Sequence, residues 1–357
     1  MTIVETPTSV ALWGAWAGMA FLASVAATYG AILFARTFGV LDVPNDRSSH
    51  VRPTPRGGGI SIVLVGIAAV FAAIAFGYVP RTHASWAAIG AVIVAAVSSL
   101  DDVVTLSAKV RLAAHVSVAM LAVAGLGPIE SIDAGPLGIV PLGVVAWPFT
   151  VVWIVGMTNA FNFMDGIDGI AGITGVAALG VIAAALLISG EQFCALVAAA
   201  LAAASAGFLV WNWQPARIFM GDVGSAFLGY VIAVLPLTAA GEARAWSFSV
   251  TACVMWPFLF DTSFTMIRRI AKRENIFEAH RSHLYQRLVI AGWPHCVVTL
   301  LYGALSAAAG GAALAVYCGP GEKTVSGAYL ACAIAIAAVG LVMLVRCVEA
   351  KPACAVS

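Results

Sequence analysis

Eleven apolar segments, roughly 12–35, 57–78, 84–99, 110–127, 139–157, 170–189, 192–211, 224–240, 246–267, 294–317 and 326–346, leave this chain few ways to fold. Most are long enough to cross a hydrocarbon core about 30 Å thick as a helix of about 20 residues. A backbone in lipid must satisfy its own hydrogen bonds, so only helices or a closed barrel can cross. The period-two alternation of barrel strands is not visible. Composition points the same way. Of 357 residues, 62% are hydrophobic and 10% charged, and the mean hydropathy is +0.99. A soluble chain carries about a quarter charged residues. The predicted fold is therefore all-α: a polytopic integral membrane helix bundle of about 11 transmembrane helices, one domain spanning residues 1–357.

Basic residues are enriched in cytoplasmic loops. With eleven spans, fifteen of the eighteen Lys and Arg fall on one side, and Arg81, Arg244 and Lys323 on the other. That split predicts the N-terminus outside and the C-terminus in the cytoplasm. The opening residues, MTIVETPTSV, hold no basic residue, so the first segment reads as a retained helix and not as a cleaved signal. The seven cysteines show no CxxC or Cys/His metal spacing and read as small hydrophobes. A net charge of +1 marks no nucleic-acid partner; the bilayer is the first partner.

Under this topology five polar clusters reach the same side: NDRSSHVRPTPRGGG (45–59), SSLDDVVTLSAKVR (98–111), NAFNFMDGIDGIAG (159–172), WNWQPARIFMGDVGS (211–225) and RRIAKRENIFEAHRSHLYQRL (268–288). Ionisable groups at membrane depth are costly and usually mark a working site. The adjacent Asp101 and Asp102 point about 100° apart on a helix. They repel unless a cation or proton intervenes. Alone the pair could equally be a solvated helix end, but Asp165, Asp168 and Asp222 join it on the same face, each beside glycine. Oxygen donors from Asn and Asp suit Mg²⁺, which shares itself with substrate phosphates. The row Asn159, Asn162, Asp165 and Asp168 drifts through about half a turn of a straight helix, so part of it faces a ligand and part supports. The last cluster has the opposite sign. Arg268 to Arg273 suit anionic lipid headgroups. His280, Arg281 and His283 suit a phosphate, with an imidazole titrating near neutral pH. Isolated His83, His115 and His295 read as structural. Carboxylate-held Mg²⁺, cations for phosphate and a bilayer together describe phosphoryl-group transfer between a soluble nucleotide and a lipid.

In this order, the DD pair, NAFNFMDGIDGIAG, PARIFMGDVGS and HRSHLYQRL resemble the polyprenyl-phosphate N-acetylhexosamine-1-phosphate transferase superfamily, glycosyltransferase family 4, from LDVPNDRSSHVRPTPRGGG onward. The resemblance implies a bacterial inner-membrane enzyme with its active site on the cytoplasmic face. It implies Mg²⁺, with Mn²⁺ as an alternative, a UDP-N-acetylhexosamine donor (GlcNAc or a derivative such as FucNAc) and undecaprenyl phosphate as acceptor. UMP is released and a cell-envelope glycan such as O-antigen is begun; a homodimer is compatible with it. Carried over, Asp101 matches a general base for the lipid phosphate and Asp102 its acidic neighbour. Asn162 and Asp222 match metal positions, and Asp165 and Asn212 a uridine-side pocket, with Asp168 nearby and Asn159 in the same substrate-binding row. Lys109 matches a lysine near the diphosphate. His280, Arg281 and His283 match a catalytic basic loop, and His50 and Arg56 shape the acceptor side.

The nearest alternative within the family is the phospho-MurNAc-pentapeptide transferase of peptidoglycan synthesis. From another class comes a secondary transporter with carboxylate ion sites, but such sites lie near the bilayer midplane. A prenyl-chain synthase fits poorly because DDVVT lacks the third Asp of DDxxD, and a CDP-alcohol phosphotransferase because the Arg and later paired Asp of its motif are missing.

Overall fold

The computed structural model describes residues 10–44, 52–78, 84–104, 106–275, 280–318 and 323–350. The first part of the chain forms α1 (Val10–Phe38), β1 (Leu41–Asp42), β2 (Thr54–Pro55), α2 (Ile60–Ala75), α3 (Ala84–Val104) and α4 (Ala108–Leu126). A hairpin of β3 (Ser131–Asp133) and β4 (Ile139–Pro141) leads into α5 (Ala146–Phe163), α6 (Ile170–Ile188), α7 (Gln192–Asn212) and α8 (Asp222–Val234). The chain continues through α9 (Glu242–Val254), α10 (Trp256–Ala271), α11 (Leu284–Ile290), α12 (His295–Cys318) and α13 (Lys323–Glu349). Both strand pairs are antiparallel and short, with Leu41 opposite Pro55 and Ser131 opposite Pro141. The fold is all-α apart from these ladders.

Eight helices among the described residues are long and apolar enough to cross a membrane, and a ninth crossing results if α9 and α10 are one span. Those two meet at a 67° bend. Sequence periodicity ran straight through the bend as one segment, 246–267. Pro257 explains the break: it has no N–H to donate and its ring would strike the carbonyl four residues back, so the helix restarts with proline in its first turn. Two more of the eleven apolar segments form shorter helices, Ile60–Ala75 and Asp222–Thr238.

The centre of the bundle is α8. Every residue from Val223 to Val234 is buried, which is why this helix is apolar all round instead of striped. It packs on α3, α5 and α2. Its N-terminus is locked to that of α2 by glycines: a Cβ on Gly59 would lie 2.3 Å from Gly224 Cα. The backbones before these helices pair like a strand ladder. Gly58 N–H donates to Phe219 O (2.9 Å), Gly59 N–H to Met220 O (2.8 Å) and Phe219 N–H to Pro55 O (2.8 Å). Small residues thus let the two loops meet backbone to backbone.

Candidate active site

The short turns between antiparallel helices bring the end of α3, the starts of α4 and α8, and the end of α5 to one end of the bundle. The two adjacent aspartates in the last turn of α3 face different partners there. Asp101 Oδ2 pairs with Arg111 Nη1 at 2.9 Å, and its Oδ1 accepts Leu106 N–H at 2.6 Å. Asp102 accepts the Asp222 and Val223 N–H groups, each at 3.0 Å, and so caps α8 from another helix. Asp222 is the hub. Its Oδ1 lies 3.1 Å from Arg56 Nη2 and its Oδ2 3.3 Å from Arg111 Nη1. Arg56 also reaches Asp102 Oδ1 at 2.9 Å. Three carboxylates and two guanidinium groups thus alternate around the N-terminus of a buried helix, whose dipole adds partial positive charge.

Beside this cluster, the row of polar residues divides as its spacing required. The helix of α5 ends at Phe163, and Asp165 and Asp168 lie in the turn that follows. Asn159 Nδ2 bonds back to Val155 O at 2.7 Å. Asn162 Oδ1 accepts from Ser225 Oγ at 2.7 Å, directly beside the α8 N-terminus. Asp168 is a fastener. Its Oδ2 accepts Ala216 N–H (3.1 Å), its Oδ1 lies 3.5 Å from His295 Nδ1, and its carbonyl accepts from Thr299 (2.7 Å). Asn212 is buried with both amide ends engaged, accepting Gly169 N–H and donating to Ile218 O at 2.9 Å each.

Half-buried Asp165 differs: among the described residues its carboxylate has no hydrogen-bond or ion-pair partner. Burial, then the charge of Asp222, pushes its pKa up to about 7, with Asp102 and Asp168 adding to the rise and Arg56 opposing it. The folded state therefore holds this proton more tightly than the unfolded chain, and stability falls as pH rises from about 4 to about 7. In chelator-treated protein, Asp165→Asn is expected to remove this loss. Its Tm relative to wild type rises between pH 5 and pH 8, with a gain on the order of 1–2 kcal/mol at the upper end. Parallel Tm curves for the two proteins would contradict the assignment.

The second basic loop approaches the same turn. Tyr285, at the start of α11, donates its hydroxyl to Phe163 O at 3.1 Å. It packs so closely over the Asp165 turn that a Cβ on Gly166 would lie 2.2 Å from its oxygen. The His283 ring is buried and stands 5.0 Å from that of His280, whose Nδ1 meets Ser282 Oγ at 3.0 Å. The near-neutral titration expected from sequence does not hold for His280. Burial, then His283 and Arg269, push it down to about 4, so at neutral pH it presents an uncharged ring. Arg281 is exposed on this loop.

The match to known proteins follows this geometry. The family model for glycosyl transferase family 4 matches residues 84–240, which contain all five aspartates of the α3, α5–α6 and α8 motifs together with Arg111. A probable undecaprenyl-phosphate N-acetylglucosaminyl 1-phosphate transferase of Bacillus subtilis is 35% identical over 265 residues, 74% of this chain and 73% of the relative. The chain belongs to the polyprenyl-phosphate hexosamine-1-phosphate transferase family. A decaprenyl-phosphate N-acetylglucosaminephosphotransferase of Mycobacterium tuberculosis is 29% identical over 81% of this chain and 78% of its own length. A phospho-N-acetylmuramoyl-pentapeptide-transferase of Synechococcus is 32% identical over 70% and 75%.

Within this family member the expected residues are unevenly gathered. Asp101, Asp102, Asp222, Arg56, Asn162 and Asp165 surround one site, with His280 and His283 across the Tyr285 contact. Lys109 is exposed on α4, and the guanidinium of Arg111, which sequence reasoning left out of the site, joins Asp101 and Asp222. The two lie about 200° apart on the helix and so point in different directions. His50 lies outside the described residues. Asp261, also passed over, is fully buried inside α10; a lone acid in an apolar segment was the available signal.

The donor set suits a hard cation. Asp222, Asn162 Oδ1 and the unpartnered Asp165 are all oxygen donors. Among the described residues no group of three or more His, Cys, Asp or Glu is arranged to hold a metal by protein ligands alone. Mg²⁺ does not need one, since it is commonly bound through one or two carboxylates with waters and substrate phosphates completing its shell.

Proposed function

We propose that this protein transfers N-acetylglucosamine-1-phosphate from UDP-GlcNAc to undecaprenyl phosphate at the cytoplasmic face of the bacterial inner membrane. UMP is released and the first lipid-linked sugar of a cell-envelope glycan, such as O-antigen, is made. The observation that carries this reading is the ring of Asp101, Asp102 and Asp222 laced by Arg56 and Arg111 at the end of a membrane bundle. The relatives named for N-acetylglucosamine transfer favour GlcNAc over other amino sugars. The excess of basic residues on the loops at this end supports the cytoplasmic orientation.

The reaction joins two anions. An oxygen of the acceptor phosphate attacks the sugar-bearing phosphorus of the donor, a new P–O bond forms, and the bond to the UMP phosphate breaks. A phosphate monoester with a second pKa near 6 is mostly dianionic at neutral pH, so removing its proton is a small part of the barrier. Bringing the charges together is the larger part, and catalysis of this kind is mainly positioning and electrostatics. Arg56 and Arg111 supply fixed positive charge. Asp101, with both oxygens occupied, orients Arg111, and Asp102 holds the α8 N-terminus toward the phosphates. Mg²⁺ held through Asp222 and Asn162 would neutralise the donor diphosphate. The neutral His280 donates or accepts a hydrogen bond at the sugar-phosphate, with Arg281 beside it.

The test is transfer of label into an organic phase by detergent-purified protein with undecaprenyl phosphate and a panel of radiolabelled donors. UDP-GlcNAc is expected to give product, and EDTA to abolish it with recovery on adding Mg²⁺. Product from UDP-MurNAc-pentapeptide alone would replace this reading with the peptidoglycan reaction suggested by the Synechococcus relative. Product unaffected by EDTA would remove the metal.

A further inference from the structure

The α10 helix carries a polar stripe that the reaction outlined above does not use. Asp261, Thr265 and Arg268 stand at intervals of one and then nearly one helical turn, on one face of the helix. Asp261 has no solvent exposure, and an ionised carboxylate so placed is tolerated only with its lone pairs filled. Three of their five partners come from the loop that carries the histidines and the start of α11. Oδ1 accepts Leu284 N–H at 2.8 Å and lies 3.3 Å from His283 Nδ1. Oδ2 accepts Tyr285 N–H at 3.0 Å and the Tyr302 hydroxyl at 2.6 Å. Thr265 Oγ1 completes the set at 3.2 Å.

The two amides are the otherwise unpaired first donors of α11. A helix this short depends on such capping, and here the cap comes from the middle of another helix. Further along α10, Arg268 Nη2 donates to Ser282 O at 2.6 Å. The residues on either side of Arg281 are thus held: Ser282 through Arg268, and the 280 side through the Ser282 and His283 contacts of the His280 ring. Residues 280–282 lie in neither helix nor strand, and these two hooks fasten them beside α11 and the Asp165 turn.

We infer that Asp261, assisted by Arg268, is a positioning residue for the donor: it places the His280–His283 loop where a sugar-phosphate is gripped, without touching substrate itself. The inference rests on the transferase reading. Replacing Asp261 by Asn puts an NH₂ group among N–H and O–H donors and unfastens the loop. The expected result for Asp261→Asn is a rise of about tenfold or more in KM for UDP-GlcNAc with KM for undecaprenyl phosphate unchanged, since a loss of about 1.4 kcal/mol corresponds to tenfold. Arg268→Gln, which leaves the buried core intact, is expected to show the same selective rise in smaller measure, and carries the test if Asp261→Asn does not fold. Tyr302→Phe removes one donor from Asp261 but none from the loop, and is expected to lower Tm while donor KM stays. A purely structural role would lower the amount of active protein and leave both KM values alone. Unchanged donor KM in folded Asp261→Asn and Arg268→Gln would overturn the inference alone. Absence of transfer by the wild-type protein would overturn the transferase reading and the inference with it.

Discussion

Asp222→Asn is expected to lower turnover on the order of a hundred- to a thousandfold in protein that still folds, the scale seen when one preorganised electrostatic contact is removed from a transfer site. The reason is its place between the two guanidinium groups, 3.1 Å from Arg56 and 3.3 Å from Arg111. Each arginine keeps a second carboxylate when Asp222 is neutralised, Asp102 at 2.9 Å and Asp101 at 2.9 Å, so the fold has no unpaired buried charge to resolve. On the proposed reading, what is lost is the shared centre through which both cations and a metal would address the diphosphate. Label extraction at saturating donor and acceptor, over a range of Mg²⁺ concentrations, measures the effect. Turnover within a few-fold of wild type with the same metal dependence would remove Asp222 from the centre of the site.

Gly59→Ala is expected to be strongly damaging although it adds only one methyl group. The added carbon would stand 2.3 Å from Gly224 Cα and 2.7 Å from Gly224 N, both backbone atoms that no rotamer change can move. α2 and α8 must then part, at a cost of about 1–3 kcal/mol or more for overpacking. The activity loss should exceed what lower stability explains, because the parting separates Arg56 from Asp222. Gly14→Ala is the control, with no heavy atom within 4 Å of the added carbon. In a helix with room to spare, Gly to Ala is neutral or favourable by up to about 1 kcal/mol. A shared Tm and shared activity for the two variants would show that the glycine contact is not what joins the loops.

Particular residues show why part of the site was readable in advance. Asp101 and Asp102 had to diverge because helical neighbours always do, and the structure sends one to Arg111 and the other to the amides of α8. The break in the row from Asn159 to Asp168 had to occur if the four residues were to share one ligand face, and it falls after Phe163. Which members bind and which fasten was not readable. Asp165 and Asp168 have the same local sequence, Asp followed by Gly, yet Asp168 is occupied by Ala216 and His295 while Asp165 is left open. Partners from α7–α8 and α12 decide this, and they are far away in sequence. For His280 the lowered pKa comes from burial, from His283 on the same loop and from Arg269 on α10, and the burial is set by tertiary packing.

The sequence by itself determined that this chain is a bundle of apolar helices, that its polar motifs gather at one end, and that the chemistry there joins carboxylates, cations and phosphate. These follow from composition, segment length and the spacing of charges, all of them local properties that the energetic cost of polar groups in lipid turns into structure. Only the tertiary structure decided that Arg111 joins the carboxylates, that Asp102 caps α8, that Asp261 holds the histidine loop, and that α9 and α10 bend apart at Pro257. Each of these depends on which surfaces of two helices meet, and that is set by packing among small residues such as Gly59 and Gly224, which no single segment specifies alone.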